Sequence, residues 1–303
     1  MAVPEAWRAV SGDDLAGETV KLRIVGQEGG PVVIVLGGIS AGRFLTSHDG
    51  GWWAPLAGPG RVIDTDHVQV VGVDLPPHKA SAFKRLCPED FAKLLALALD
   101  VAGLPAAETF IGASFGGMVG LAFARLFPRR VGHLVLIAAA HRPCPMAYAS
   151  RRIQRDIIAM THGTNRQGEG VALARQLAMT TYRTSEEFDA RFGPWSDESL
   201  DDYLDHQGAK CAAAITPERY WALSSAIDQH REDPADIEVP VSVIASDSDR
   251  LVPLSLVAEM AARLPNLRRY DVMRSSFGHD AFLKEESTLS RLLRPALGGS
   301  VSA

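Results

Sequence analysis

The segment 109-TFIGASFGGMVGLAFARLF-127 decides the fold. Its first residues, 109–112, predict a short buried strand, and residues 115–127 predict a helix that ends before Pro128. Ser114 lies at the turn between the two, with a glycine two positions before it and another two positions after it. Larger side chains at those glycines would collide with neighbouring backbone. The pattern predicts a serine hydroxyl that stands clear of a sheet, beside a helix N-terminus that favours developing negative charge.

Strand and helix patterns alternate on both sides of this segment. A helix is predicted over residues 88–102, where apolar side chains recur at steps of three and four: Phe91, Leu94, Leu95, Ala98 and Leu99. Further strands are predicted at residues 20–25, 32–36, 68–73 and 133–137. Buried strands separated by helices are typical of parallel pairing with crossover helices. The sequence therefore predicts an α/β fold whose mostly parallel sheet is flanked by helices on both faces.

The middle of the chain has a different pattern. No strand is predicted between residues 143 and 234, whereas helices are predicted at residues 150–160, 170–182 and 200–214. Strand patterns return at residues 241–245 and 267–272, and a final helix is predicted over residues 281–293. We therefore expect one core, made of residues 1–142 and 236–303, with a helical lid inserted at residues 143–235. The tail at residues 298–303 is expected to fray.

Composition excludes several classes of function. The net charge of −5 argues against broad electrostatic binding to nucleic acid or to acidic lipid. The three cysteines, Cys87, Cys144 and Cys211, are far apart and none has metal-ligand spacing, so neither a disulfide nor a metal site is expected. No stretch resembles a targeting segment or a membrane span, which predicts a soluble cytoplasmic protein with no membrane partner.

A nucleophilic serine needs a base, and the base needs a carboxylate to orient it. His279 follows a predicted strand and precedes the last helix, so it lies where such a base belongs, at the carboxyl end of the sheet. Asp247 and Asp249 both follow the strand at residues 241–245, and spacing alone does not separate them. Either aspartate could instead cap the next helix.

The intermediate of serine chemistry also needs hydrogen-bond donors for its oxyanion. The backbone N–H of Phe115, directly after the serine, is one predicted donor. The other is the backbone N–H of Ile39, in the glycine-rich loop that follows the second core strand. Together they form the predicted oxyanion hole.

Several segments are similar to those of the homoserine O-acyltransferase family, the acetyl- and succinyltransferases of methionine biosynthesis, which have the α/β-hydrolase fold. The similarity covers the nucleophile segment, the segment before the third core strand, one lid helix and the segments of the acid and the base. These are residues 112–118, 51–53, 58–60, 63–66, 170–182, 248–253 and 278–283. Together they are far more specific than the serine pattern alone.

The resemblance implies an activity and roles for particular residues. It implies that the acid is Asp249, that Arg175 binds the carboxylate of L-homoserine and that Asp280 contacts its amino group. A guanidinium suits a carboxylate, and an aspartate suits an ammonium group. It also implies a ping-pong mechanism with acyl-CoA as co-substrate, no bound cofactor, and a homodimer.

Alternatives remain open within this interpretation. The donor is acetyl-CoA or succinyl-CoA, and Arg43 is a candidate cation for a succinyl group. The acceptor could be L-serine, because the two amino acids differ by one methylene group. A serine esterase or related hydrolase could use the same three residues. A non-catalytic binding protein is disfavoured because all three residue types are present.

Overall fold

Seven strands form one central sheet in the computed structural model, which describes residues 1–193 and 197–297. The sheet order is β1-β5-β2-β6-β7-β8-β9. Only β1 runs antiparallel to its neighbour, so the predicted mostly parallel sheet is confirmed. The strands are β1 (Lys21–Gly26), β2 (Val32–Leu36), β5 (Gln69–Asp74), β6 (Ala107–Ala113), β7 (Val131–Ile137), β8 (Val241–Ser246) and β9 (Leu267–Met273). A separate small pair is formed by β3 (Ala57–Gly58) and β4 (Ile63–Asp64).

The central strands are continuous apolar runs because both faces of the sheet are buried. In β2, Ile34 and Leu36 contribute to one apolar cluster, whereas Val33 and Val35 contribute to a second. Successive side chains of a strand point to opposite faces, so one short run supplies both clusters. Neither face of these strands is left to solvent.

Helices cover the sheet on both sides. The core helices are α1 (Pro88–Val101), α2 (Phe115–Leu126), α8 (Leu254–Arg263), α9 (Ala281–Lys284) and α10 (Glu286–Leu297). The five apolar side chains predicted to line one side of α1 are all buried, which confirms that stripe. Helices α1, α2 and α8 pack in the first cluster, and α10 packs in the second.

Among the described residues, five α-helices lie between β7 and β8, and no strand interrupts them. They are α3 (Pro145–Thr161), α4 (Gln167–Tyr182), α5 (Ser185–Phe192), α6 (Asp197–Ala214) and α7 (Pro217–Gln229). Helix α3 contacts α4 and α7, and α4 contacts α6, so these helices pack largely on one another. No described helix is both long and apolar enough to cross a membrane.

The C-terminal helix differs from its prediction. The expected single helix over residues 281–293 is broken at Glu285, whose ψ of 53° is not helical, and α10 then continues to Leu297. The turn allows Leu289 and Leu293 of α10 to be fully buried against the sheet. The predicted frayed tail at residues 298–303 lies outside the described residues.

Candidate active site

The turn between β6 and α2 holds Ser114 in a conformation that few residues adopt. Its φ of 53° and ψ of −118° are unusual for a residue with a side chain. A Cβ at Gly116 would lie 1.9 Å from the carbonyl oxygen of Leu36, and one at Gly112 would lie 2.5 Å from that of Gly116. Both glycines are therefore required by the backbone that passes beside them, as the sequence pattern predicts.

Two short contacts connect Ser114 to His279 and His279 to Asp249. The Oγ of Ser114 lies 2.7 Å from Nε2 of His279, and Nδ1 of the same ring lies 2.6 Å from Oδ2 of Asp249. The carboxylate fixes the proton on Nδ1, which leaves Nε2 as the acceptor for the serine hydroxyl. His279 and Asp249 are both buried, so little of the ring is exposed to solvent.

The sheet explains why distant residues meet here. Ser114 follows β6, Asp249 follows β8 and His279 follows β9. These strands are parallel; β7 lies between β6 and β8, and β9 is the direct neighbour of β8. Parallel strands bring their carboxyl ends to the same edge of the sheet. Residues that are 165 positions apart can therefore hydrogen-bond.

The structure shows which of the two candidate aspartates contacts the histidine. Oδ1 of Asp249 accepts hydrogen bonds from the backbone N–H groups of Leu251 and Val252, which leaves Oδ2 for the histidine. Asp247 instead accepts a hydrogen bond from the backbone N–H of Ser275. Asp247 therefore braces a loop, and the carboxylate that contacts the ring belongs to Asp249.

The environment of His279 sets its pKa. Burial by itself would lower the pKa of this imidazole, because the charged form loses its hydration. The charge of Asp249 and its hydrogen bond outweigh burial, so the pKa of His279 is raised above its ordinary value. The site favours an imidazolium that is paired with a carboxylate, which is the species formed when the serine gives up its proton.

The two predicted oxyanion donors are free of internal acceptors. Among the described residues, no acceptor is hydrogen-bonded to the backbone N–H of Ile39 or of Phe115. By contrast, the N–H of Gly116 donates to the carbonyl oxygen of Gly37, and that of Ser114 donates to Ile137. Ile39 also lines the cavity beside Ser114. Their role as an oxyanion hole stays a prediction.

A cavity of about 150 Å³ lies beside the reactive groups. Ser114, His279, Arg175 and Asp280 all line it, so the structure brings together four of the residues singled out from the sequence. Among the described residues, the guanidinium of Arg175 has no carboxylate partner, and it lies over the ring of Tyr182, 5.2 Å from its centroid. A guanidinium without an anion is available to a carboxylate ligand.

Asp280 has a partner that the sequence did not reveal. Nε of Arg183 lies 3.0 Å from Oδ2 of Asp280, and both side chains are largely buried. The same arginine reaches Glu187, so it connects the base loop to α5. No local pattern pairs residues 183 and 280, because their contact depends on how the helices pack on the core. The proposed contact of Asp280 with an amino group stays a prediction.

Arg43 pairs with a carboxylate of the core. Its guanidinium pairs with Asp74 and stacks on the ring of Phe44 at 4.4 Å. Arg43 is not among the residues that line the cavity beside Ser114. The pairing of Arg43 with Asp74 gives no support to Arg43 as the cation of an acyl pocket, and that role stays a prediction.

No cluster of three or more His, Cys, Asp or Glu side chains that could hold a metal ion is found within residues 1–193 and 197–297.

Comparison with known proteins shows the family to which the chain belongs. Residues 31–286 match the alpha/beta hydrolase fold family. The chain is 38% identical over 289 residues to a homoserine O-succinyltransferase of Xanthomonas campestris pv. campestris. The aligned region covers 92% of this chain and 78% of that protein. It is 34% identical to a homoserine O-acetyltransferase of Thermus thermophilus, over 80% of this chain and 71% of that protein.

A solved homoserine O-acetyltransferase from Bacillus anthracis has the same fold, with a TM-score of 0.86, 17% identity, and coverage of 99% of this chain and 97% of that one. The protein is therefore a member of the α/β-hydrolase-fold family. Within it, the chain belongs to the homoserine O-acyltransferase family, as the sequence resemblance predicts.

Proposed function

We propose that this protein transfers an acyl group from acyl-CoA to the hydroxyl of L-homoserine, a step of methionine biosynthesis. The observation that carries the proposal is the contact chain Ser114–His279–Asp249 in a cavity that also contains Arg175 and Asp280. The first three groups suit acyl transfer, and the last two match the two charges of an amino acid.

In the first half-reaction, Oγ of Ser114 attacks the carbonyl carbon of the thioester, and its proton moves to Nε2 of His279. The negative charge on the carbonyl oxygen is stabilised by the N–H groups of Ile39 and Phe115. The carbon–sulfur bond then breaks, the thiolate takes the proton from His279, and CoA leaves. The acyl group remains as an ester on the serine.

In the second half-reaction, the hydroxyl of homoserine gives its proton to His279 and attacks the acyl-serine ester. A new ester bond forms, the bond to Ser114 breaks, and the serine oxygen recovers the proton from His279. Asp249 stabilises the imidazolium in both halves and holds the ring in position. Arg175 binds the acceptor carboxylate and Asp280 contacts its ammonium group.

The charges of the cavity favour transfer over hydrolysis. A hydrolase of neutral esters has no use for a guanidinium without an anion partner beside its nucleophile, because burying charge is costly. The carboxylate of an amino-acid acceptor would pair with Arg175, and its ammonium group would join the ion pair of Asp280 and Arg183. L-Serine differs from L-homoserine by one methylene group, which gives a discrimination of only ~1–3 kcal/mol.

The larger part of the donor has room next to this site. A second cavity of about 530 Å³ shares Ile39 and Arg175 with the first, and Lys210 lies on its wall. We expect the pantetheine arm and the phosphates of CoA to lie there. We further propose that residues 143–235 form a lid over the core of residues 1–142 and 236–303.

The test is thiol release from acetyl-CoA or succinyl-CoA, measured with and without L-homoserine. We expect release that depends on the amino acid, with the O-acyl product identified by mass spectrometry. Ser114→Ala should abolish it while the circular dichroism spectrum is unchanged. Release that is equally fast without an amino acid would instead identify a hydrolase. L-Serine in place of L-homoserine tests the other acceptor.

Two further expectations concern the oligomeric state and the localisation of the protein. We propose a homodimer in the cytoplasm, on the strength of the family membership. Light scattering after size exclusion should give twice the 32.6 kDa chain mass. A mass of one chain at micromolar concentration would contradict the dimer and leave the catalytic proposal untouched.

A further inference from the structure

Asp74, the last residue of β5, has no role in the mechanism above, although its carboxylate contacts the loop that carries Ile39. This loop, residues 37–43, follows β2, and β5 runs parallel beside β2. Oδ1 of Asp74 accepts the backbone N–H of Arg43 at 2.6 Å, and Oδ2 pairs with the guanidinium of the same residue. One carboxylate therefore holds both the backbone and the side chain at the end of the loop.

The end of the loop lies directly against β5. A Cβ at Gly72 would lie 2.1 Å from the carbonyl oxygen of Arg43, and one at Gly42 would lie 2.9 Å from Oδ1 of Asp74. Neither glycine has room for a side chain, so the backbone of the loop rests on the strand and on its last carboxylate. The end of a strand in a buried sheet is a rigid support for a functional loop.

Two further hydrogen bonds hold the loop at other points. The carbonyl oxygen of Gly37 accepts a backbone N–H of α2, and the carbonyl oxygen of Gly42 accepts Nε1 of Trp52 at 3.0 Å. Among the described residues, Trp52 and Asp74 are the only side chains that hydrogen-bond to the backbone of this loop. Ile39 lies between these supports, so they determine where its N–H points.

The location of Asp74 argues against a role in binding the donor. Asp74 and Ile39 both line the second cavity, where we expect the anionic part of acyl-CoA to lie. A carboxylate on that wall repels phosphates, and its pairing with Arg43 reduces the repulsion. The carboxylate therefore contributes through the loop that it holds.

The position of Ile39 matters in both halves of the proposed reaction. Each half passes through a tetrahedral intermediate with a negatively charged oxygen, and the predicted donors to that oxygen are the N–H groups of Ile39 and Phe115. Phe115 is fixed as the first residue of α2, whereas Ile39 depends on its loop. A displacement of about 1 Å at such a group can reduce the rate by roughly 100-fold.

We propose that Asp74 is a positioning residue of the oxyanion hole. Its carboxylate fixes residues 37–43, so that the N–H of Ile39 faces the carbonyl oxygen of the acyl group at Ser114. Asp74 acts through the loop and not by contact with the reacting atoms. The inference rests on the proposed acyltransferase function and names a residue on which the rate of that function depends.

The first experiment compares Asp74→Ala with the wild type at saturating acetyl-CoA and at saturating succinyl-CoA. We expect the rate constant of the thiol burst and kcat to fall together, by roughly 10- to 100-fold, because both half-reactions pass through an oxyanion. KM for L-homoserine should change little, since a ping-pong reaction that is slowed equally in both halves keeps the same KM. Saturation with donor removes any effect of the variant on donor affinity.

The affinity for propylboronic acid is a readout that does not require turnover. Its trigonal boron accepts the oxygen of Ser114 while the hydroxyl proton moves to His279, and the tetrahedral boronate places an oxygen where the oxyanion forms. We expect its inhibition constant to rise in Asp74→Ala by a factor similar to the fall in kcat. A loss of stability without displacement of Ile39 would leave this constant unchanged, so it separates positioning from a purely structural role.

Asp64→Ala is the matched control. Asp64 also ends a strand and accepts two backbone N–H groups, those of Gly60 and Asp66, but it lines neither cavity. This variant should lower the melting temperature and leave the burst, kcat and the boronate constant unchanged. If Asp74→Ala does not fold, Asp74→Asn keeps an acceptor oxygen for the N–H of Arg43 but loses the ion pair, and should show the same pattern with a smaller loss.

The outcomes separate the two proposals. An unchanged boronate constant in Asp74→Ala, or equal losses in Asp64→Ala, would overturn the positioning role and leave the acyltransferase function standing. Absence of acceptor-dependent turnover in the wild type would overturn the acyltransferase function. The boronate comparison would then still decide whether Asp74 places an oxyanion donor, because it requires only a reactive Ser114.

Discussion

The imidazole of His279 lies between a hydroxyl and a carboxylate, and the carboxylate controls its basicity. Asp249 raises the pKa of His279 against the opposing effect of burial. The ring acts as a base only when it is neutral, so activity should rise with pH as the ring loses its proton. Because the pKa is raised, this rise falls above the ordinary value for histidine.

The first prediction concerns Asp249→Asn. The variant should lower kcat by about 10⁴-fold, because the amide neither stabilises the imidazolium nor fixes the same proton on the ring. Without the negative charge, the pKa of His279 falls and the acidic limb of kcat/KM moves to lower pH. The measurement is the pH profile of acyl transfer. Asp247→Asn is the control, since Asp247 only braces Ser275, and a similar displacement of its acidic limb would refute the assignment.

The second prediction separates acceptor binding from acylation. Arg175→Gln should raise KM for L-homoserine by roughly 10- to 100-fold, since a charge-assisted hydrogen bond is lost. The burst of thiol release that reports acylation of Ser114 should change little. Gln176→Ala is the control on the same helix, because Gln176 pairs with Asp205 at an exposed site. Equal reductions in the burst of thiol release and in acyl transfer would show that Arg175 does not act specifically in acceptor binding.

At the level of elements, the sequence predicted the parts that have local signals. The apolar periodicity of α1 and the continuous apolar residues of β2 and β7 reflect the burial of these elements. Such patterns can be recognised in the sequence without a structure. The break at Glu285 has no such signal. A proline or glycine would have indicated it, but the helix ends there because the next turn must redirect Leu289 and Leu293 onto the sheet.

The contacts between elements were equally hidden from the sequence. The end of α4 and residues 183–184, which connect α4 to α5, lie against the loop that carries His279. The hydroxyl of Thr184 donates to the carbonyl of Ser276, and Arg183 pairs with Asp280. A Cβ at Gly278 would lie 2.6 Å from the carbonyl oxygen of Tyr182. The base was predictable from its order in the chain, but the helical segment that supports it was not, because such contacts depend on tertiary packing.

The third prediction tests the turn between β6 and α2. Gly116→Ala should destabilise the fold by several kcal/mol or displace Ser114, because the new methyl group would lie 1.9 Å from the carbonyl of Leu36. Thermal melting and kcat together measure the two effects. Gly168→Ala is the control, since nothing lies within 4 Å of its Cβ position in α4 and alanine favours a helix by about 1 kcal/mol. A Gly116→Ala protein with normal melting and normal kcat would contradict the packing described here.

For the molecule as a whole, buried histidines make stability depend on pH. Burial lowers the pKa of His230 from 6.5 to about 3, although its hydrogen bond to the carbonyl of Ala140 opposes the shift. The unfolded chain therefore binds one more proton than the native state between these two values. The stabilisation is complete above pH 6.5 and is lost as the pH falls towards 3.

The fourth prediction follows from this loss of stability at low pH. Urea unfolding of the wild type should lose stability below pH 6.5 relative to His230→Gln, by about 1.4 kcal/mol per pH unit. The variant keeps a side-chain donor but cannot titrate. It is expected to be less stable at pH 7, and its difference from the wild type should shrink in acid. A constant difference between pH 7 and pH 5 would show that His230 takes up its proton without unfolding.

The distance along the chain between hydroxyl and imidazole has a consequence for synthesis. The ribosome makes Ser114 first, and 165 further residues must be added before His279 exists. Under the mechanism proposed here, a nascent chain cannot consume acyl-CoA while it is being translated. Reactivity begins only when β9 has joined the sheet, so thioester turnover reports completed folding.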